Sequence, residues 1–169
     1  MRQTNALRAA VSLAVGLFIT FSQSHAASIG LLALAIFSIA FAITNAVASA
    51  IWGKGLAAIE AMPLTLVSLL IGIFAIMARG SGSEETAFIG LVTVWGLVSG
   101  AFELYLARRA SLKSAHGREF LMSAILSAVL GLLFLVAPLD IVSAVGFFGA
   151  YLIVSGVQLG VAAATPSSK

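Results

Sequence analysis

The chain has 169 residues, 61% of them hydrophobic and 9% charged. Soluble domains are roughly 45–50% apolar and about 25% charged, and a soluble fold of this length leaves too much surface in water to hide such an excess. That balance excludes a soluble enzyme, a nucleic-acid binder and a disordered tail, and leaves a polytopic membrane protein. The formal charge of +3 is no nucleic-acid signal here, because the basic residues sit at the ends of apolar runs, where they orient membrane helices.

The charge-free runs cover residues 9–53, 61–78, 86–102, 120–139 and 141–168, and a spanning helix needs about 20 predominantly apolar residues. SQSH at 22–25 divides the first run into helices near 7–22 and 28–50. The Gly-rich WGKG at 52–55 makes a turn, and a third helix follows near 60–78 with Pro63 in its first turn, where a missing N–H costs little. RGSGSEE at 79–85 is a loop of Gly, Ser and charge. The fourth helix runs from about 87 to 107, and a basic connector with Arg108, Arg109, Lys113 and Arg118 leads to the fifth at about 120–137. APLD at 137–140 turns the chain into the sixth, at about 142–164, before the polar tail 165–169.

Arg2 and Arg8 followed by an apolar stretch and Ser-His-Ala at 24–26 also have the look of a cleaved secretory signal. An internal repeat argues against that reading. VSLAVGLF at 11–18, VSLLIGIF at 67–74 and LSAVLGLL at 126–133 each place Ser four residues before Gly: Ser12 and Gly16, Ser68 and Gly72, Ser127 and Gly131. In the even helices, WGLVSGA at 95–101 aligns with YLIVSGV at 151–157, and more loosely with FSIAFAI at 37–43. The expected architecture is all-α: one membrane domain over 1–169, with six transmembrane helices forming three parallel hairpin repeats at about 7–50, 60–107 and 120–164. Small residues at four-residue spacing let helices approach in lipid, which makes those Ser/Gly pairs, with Gly96/Gly100 and Gly156/Gly160, expected packing positions.

Eight of the nine basic residues fall on one side of this topology and only Arg79 on the other, which predicts both termini in the cytoplasm. The same basic connector, Arg108, Arg109, Lys113 and Arg118, suits anionic lipid headgroups, at about 1 kcal/mol per charge. The lipid bilayer is the expected partner, with a second copy of the chain a further candidate. With no cysteine, disulfides and thiol chemistry are excluded. His25 and His116 lie in expected loops without ligand-like spacing, so no metal or other cofactor is expected. No reactive constellation supports an enzyme.

The repeated apolar-Ser-x-x-apolar-Gly start, the VAPLD turn, and the segments Trp95–Gly100 and Tyr151–Gly156 resemble the HdeD-like acid-resistance membrane proteins. The resemblance covers essentially the whole chain and is clearest from about 120 to 160. It implies six helices in the bacterial inner membrane and a role in acid or envelope stress, and it supplies no catalytic or binding residues. The first hairpin departs from the pattern, with Ala40 to Ala42 where Ser-Gly is expected.

Glu103 is the only acidic residue in the interior of an expected span, where an acid costs about 2.5–3.5 kcal/mol at the helix centre. It lies five residues before Arg108, about 7–8 Å along the helix. The favoured role is an interfacial ion pair with Arg108, Arg109 or another basic residue, and the rival is proton or solute handling in a small transporter or channel. Asn45 and Gln158 occupy nearly the same repeat position and are expected to form a polar cluster with Glu103, held by interhelical hydrogen bonds. Trp52, Tyr105 and Trp95 read as interfacial aromatics or packing residues. His25, Glu84, Glu85 and Asp140 read as solvated loop polarity on the opposite side, with acid sensing the sharper alternative.

Overall fold

Among the described residues, apolar runs separated by short polar breaks fold as six α-helices with no strand. The computed structural model describes residues 2–52 and 62–165. In chain order the helices are α1 (Arg2–Phe21), α2 (Ala27–Trp52), α3 (Met62–Ala78), α4 (Glu84–Arg109), α5 (Ala115–Val136) and α6 (Ile141–Ala164). Five of them are long and apolar enough to cross a membrane, and α3, as described, spans 17 residues. Lys54, Lys169, most of the turn after Trp52 and the end of the polar tail lie outside the described residues.

The helices begin earlier than the apolar pattern indicates. α1 starts at Arg2 rather than near 7, and α5 at Ala115 rather than near 120. Polar residues continue a helix whenever its backbone is satisfied, and Ser114 does this for α5 by accepting a hydrogen bond from Gly117 N at 2.9 Å. His116 and Arg118 consequently sit in the first turns of α5, not in a loop. The 79–83 break turns through Gly80 and Gly82, whose φ values of 77° and 78° suit a residue without Cβ. Glu84 in the first turn of α4 closes this loop by accepting from Gly80 N at 2.6 Å.

Asp140 caps α6. Its carboxylate accepts from Val142 N and Ser143 N, each at 3.1 Å, and from the Ser143 hydroxyl at 2.6 Å. These bonds, the Ser143 hydroxyl foremost, hold its pKa below the ordinary carboxylate value. A depressed folded-state pKa contributes stability that is complete above the unfolded value, about 3.9, and is lost as pH falls through the lower folded value. Amide exchange at Val142 and Ser143 is therefore expected to stay slow at pH 5 and to accelerate in strong acid. Asp140→Ala should abolish that pH dependence, and an unchanged acid response in the variant would contradict the cap.

The six helices close into a ring. The most extensive contacts are α4 with α5, α1 with α6, and α2 with α3, and lesser ones join α1 to α2, α3 to α4 and α5 to α6. α2, α4 and α6 also touch one another, so they form an inner triangle with α1, α3 and α5 wedged outside. Glycine sets the close approaches. A Cβ on Gly16 would lie 2.8 Å from Ile153, one on Gly72 2.6 Å from Ile39, and one on Gly131 2.6 Å from Leu97 N.

The interior of the triangle is apolar and aromatic towards one end. Phe37 meets Trp95 and Phe148 edge-on at 5.3 and 6.0 Å, Phe88 meets Phe148 and Phe134 at 5.8 and 6.1 Å, and all five rings are buried. Such edge-to-face pairs add about 0.5–1.5 kcal/mol each beyond their buried area. The outer surface is also apolar. Phe21, Leu66, Met77, Val129, Leu135 and Val136 are among many large side chains that point outward, a surface compatible with a membrane protein.

Candidate functional site

At the other end of the triangle, where α1 begins and α2, α4 and α6 end, the core turns polar. α1 carries Arg8, Ser12 and Gly16 at four-residue intervals, hence on one face. Ser12 and Gly16 are buried, and the same stripe carries Arg8 inward. The Arg8 guanidinium donates from Nε to Asn45 Oδ1 at 2.7 Å and lies 4.9 Å from the centre of the Phe41 ring. It is also the cation whose field reaches Glu103.

Glu103 is buried, with 7% of its surface exposed. It sits six residues from the end of α4, about 9 Å along the axis. Its Oε2 accepts from the Ser127 hydroxyl on α5 at 3.3 Å, and that hydroxyl lies 3.1 Å from the Tyr151 hydroxyl on α6. The Trp95 indole and Ser155 hydroxyl border Tyr151, although Trp95 Nε1 makes no hydrogen bond of its own. The carboxylate is thus bonded to α5 through Ser127 and, beyond it, to Tyr151 of α6, while Arg8 of α1, itself bonded to Asn45 of α2, acts on it through charge.

Of the three residues expected in a polar cluster, Asn45 and Glu103 are linked only by way of Arg8, and Gln158 lies apart. Gln158 instead accepts from Ser123 at 3.2 Å and donates to Glu119 O at 3.4 Å, facing α5. Aligning 95–101 with 151–157 places Leu159, not Gln158, opposite Glu103. One residue turns a helix by about 100°, and that single step carries the Gln158 amide out of the triangle. Glu119 also accepts from Asn5 Nδ2 at 3.2 Å, so this second cluster forms a rim between α1, α5 and α6.

The cation beside Glu103 comes from α1 rather than from the connector after α4. Arg109 donates to Tyr105 at 3.3 Å, Arg118 to Lys113 O at 3.0 Å, and these side chains lie on the exposed end of the bundle. Trp95 is a core residue, 1% exposed, whereas Trp52 and Tyr105 face outward. Ser127, expected as a packing position, both adjoins the Gly96 backbone and binds Glu103. Ser68 returns its hydroxyl to Leu64 O. Gly100 approaches Ala128, Gly156 approaches Leu13, and Gly160 faces Ala9 at an ordinary van der Waals distance.

Arg8 is the participant that the sequence does not single out: it reads there as an orientation charge or as part of a signal-like N-terminus. Its place one turn before Ser12, on the stripe that continues to Gly16, is the signal that points it inward. Chemically the arrangement is a buried carboxylate with a cation in its field and a line of hydroxyls, a set of groups that can hold or exchange a proton. Among the described residues no group of three or more His, Asp or Glu side chains is placed to hold a metal ion. No protein-family model, curated protein or solved structure matches this chain.

Proposed function

We propose that this chain is a multi-pass bacterial inner-membrane protein of three parallel helical hairpins, with both termini cytoplasmic. In this reading Glu103 is a proton-exchange group open to the cytoplasmic side only, serving acid or envelope stress tolerance without enzymatic chemistry. One observation carries it. The polar line from Arg8 and Asn45 through Glu103 and Ser127 ends at Tyr151, and beyond it Phe37, Phe148, Phe88 and Phe134 fill the core. An ionisable residue within a membrane domain is a functional group by default, and an aromatic plug behind it favours a sensor or store over a conduit.

The hairpin repeat is supported by the contacts of Gly16, Gly72 and Gly131. They meet Ile153, Ile39 and Leu97, which occupy one position in the aligned even helices. The bacterial membrane and the stress role rest on the resemblance to HdeD-like proteins, and the orientation on the basic bias. Arg108, Arg109, Lys113 and Arg118 would then face anionic headgroups.

Two measurements test this. Full-length protein in proteoliposomes under a pH gradient should pass no more protons than empty vesicles. A sustained flux that Glu103→Gln abolishes would overturn the reading in favour of a transporter. Deleting the gene should lower survival at acid external pH, and complementation with Glu103→Gln should restore it poorly. Unaltered survival on deletion would remove the stress role.

A further inference from the structure

The contacts around Glu103 form a circuit whose two ends, Arg8 and Glu103, interact through charge at longer range. Arg8 lies over Phe41, Phe41 meets Trp95 at 5.3 Å, Trp95 borders Tyr151, Tyr151 reaches Ser127, and Ser127 binds Glu103. Inside this circuit the hydrogen-bond inventory does not close by itself. Asn45 Nδ2, Trp95 Nε1 and Ser99 Oγ are buried without a partner, each on a residue 1% exposed. Arginine offers only donors, so the 2.7 Å contact fixes Asn45 Oδ1 towards Arg8 and turns Nδ2 away from it. Some hydroxyls in the bundle return to their own helix, as Thr20 does to Gly16 O and Thr93 to Ile89 O. Ser99, like Ser38 elsewhere in the core, does not.

Trp95, Ser99 and Glu103 follow at four-residue intervals on α4 and so share one face. Unfilled donors therefore line the same face as a carboxylate that accepts one hydrogen bond, from Ser127, and has room for about three more. Each buried donor without a partner costs several kcal/mol in a membrane interior. A small molecule that both accepts and donates resolves both deficits at once.

We propose that the circuit encloses an internal hydration site, with about two or three water molecules, each making about three hydrogen bonds, linking Asn45 Nδ2, Ser99 Oγ and Trp95 Nε1 to the Glu103 carboxylate. The site rests on the reading of Glu103 as an exchange group, for which this water is the carrier between the carboxylate and the end of the bundle where Arg8 enters. The aromatic core beyond Trp95 and Phe37 is dry.

Hydroxyl-radical footprinting by millisecond radiolysis, on full-length protein in lipid nanodiscs, reads this directly, because radicals generated from bound water oxidise the side chains beside it. Phe41 and Phe88 have the same chemistry and are both buried, at 5% and 0% exposure. Phe41 is expected to be oxidised about tenfold faster than Phe88, as ordered water beside one ring only implies. Equal rates would overturn the hydration site. Asn45→Leu keeps the number and branching of side-chain heavy atoms while removing the amide, and is expected to slow Phe41 oxidation several-fold with helicity unchanged. An unchanged rate in that variant would overturn the proposal equally. Infrared titration of the Glu103 carboxyl in the same nanodiscs separates the two ideas: a dry circuit with a titrating Glu103 defeats the water alone, and a Glu103 that does not titrate defeats the exchange reading.

Discussion

Replacing Arg8 by Met is expected to destabilise the bundle by about 1–3 kcal/mol, the range for leaving a buried polar group without its partner. The substitution strips Glu103 of the cation whose field reaches it and leaves Asn45 Oδ1 without its donor. Glu103→Gln should cost less. Arg8 is half-buried near the end of its helix, so its guanidinium can swing outward to water or headgroups, whereas the carboxylate of Glu103 has no such exit. The double variant R8M/E103Q should consequently be more stable than R8M alone. Reversible unfolding in mixed micelles measures all three. Additive losses, as for sites that do not interact, would contradict the pairing.

The second large effect lies where α4 crosses α5. A Cβ at Gly96 would fall 2.5 Å from Gly131 N and 2.7 Å from Ser127 O. Both are backbone atoms, which no side-chain rotation can move aside, so even Ala must push the helices apart. Overpacking of this kind costs about 1–3 kcal/mol, and Gly96→Leu should exceed that range. The damage reaches the site as well, because Ser127 supplies the hydrogen bond to Glu103. Gly90 on the same helix is the control: a Cβ there meets nothing within 4 Å. Gly90→Ala should be neutral, or stabilising by up to about 1 kcal/mol through helix propensity. Similar stabilities for Gly96→Ala and Gly90→Ala would contradict the close crossing.

Much of this architecture is legible before any coordinates. Charge-free runs and Gly- or Ser-rich breaks locate six helices, because in lipid each span must satisfy its own backbone and the breaks carry the polarity. The helix ends were less legible. At α1 and α5 the helix runs on through Arg2 to Arg8 and through His116 to Glu119, where polarity mimics a loop. Ser114 as a cap has no hydropathy signature at all.

The site was legible in part for a similar reason. Asn45 and Glu103 stand at the same offset from Phe37 and Trp95, so the repeat alignment brings them together. Gln158 fails by one residue of register, an error that hydropathy alone does not detect. Arg8 is 95 positions from Glu103, and its role depends on α1 packing between α6 and α2, which is set by the crossings of small residues rather than by any local motif. The aromatic plug was hidden for the opposite reason: Phe and Trp in a membrane helix read as ordinary apolar bulk until the inner triangle shows which of them share a core.

The central claim is that Glu103 communicates with one side of the membrane only. The measurement that bears on it most directly is infrared difference spectroscopy of the Glu103 carboxyl in proteoliposomes of uniform orientation, assigned by the loss of its band in Glu103→Gln. A pH jump on the side that carries Arg2 and Ala164 should change the band promptly. The same jump on the opposite side should leave it unchanged until the vesicle equilibrates. A prompt response to acid from the opposite side would show a path through the Phe37, Phe88 and Phe148 core, and would contradict a site closed by that plug.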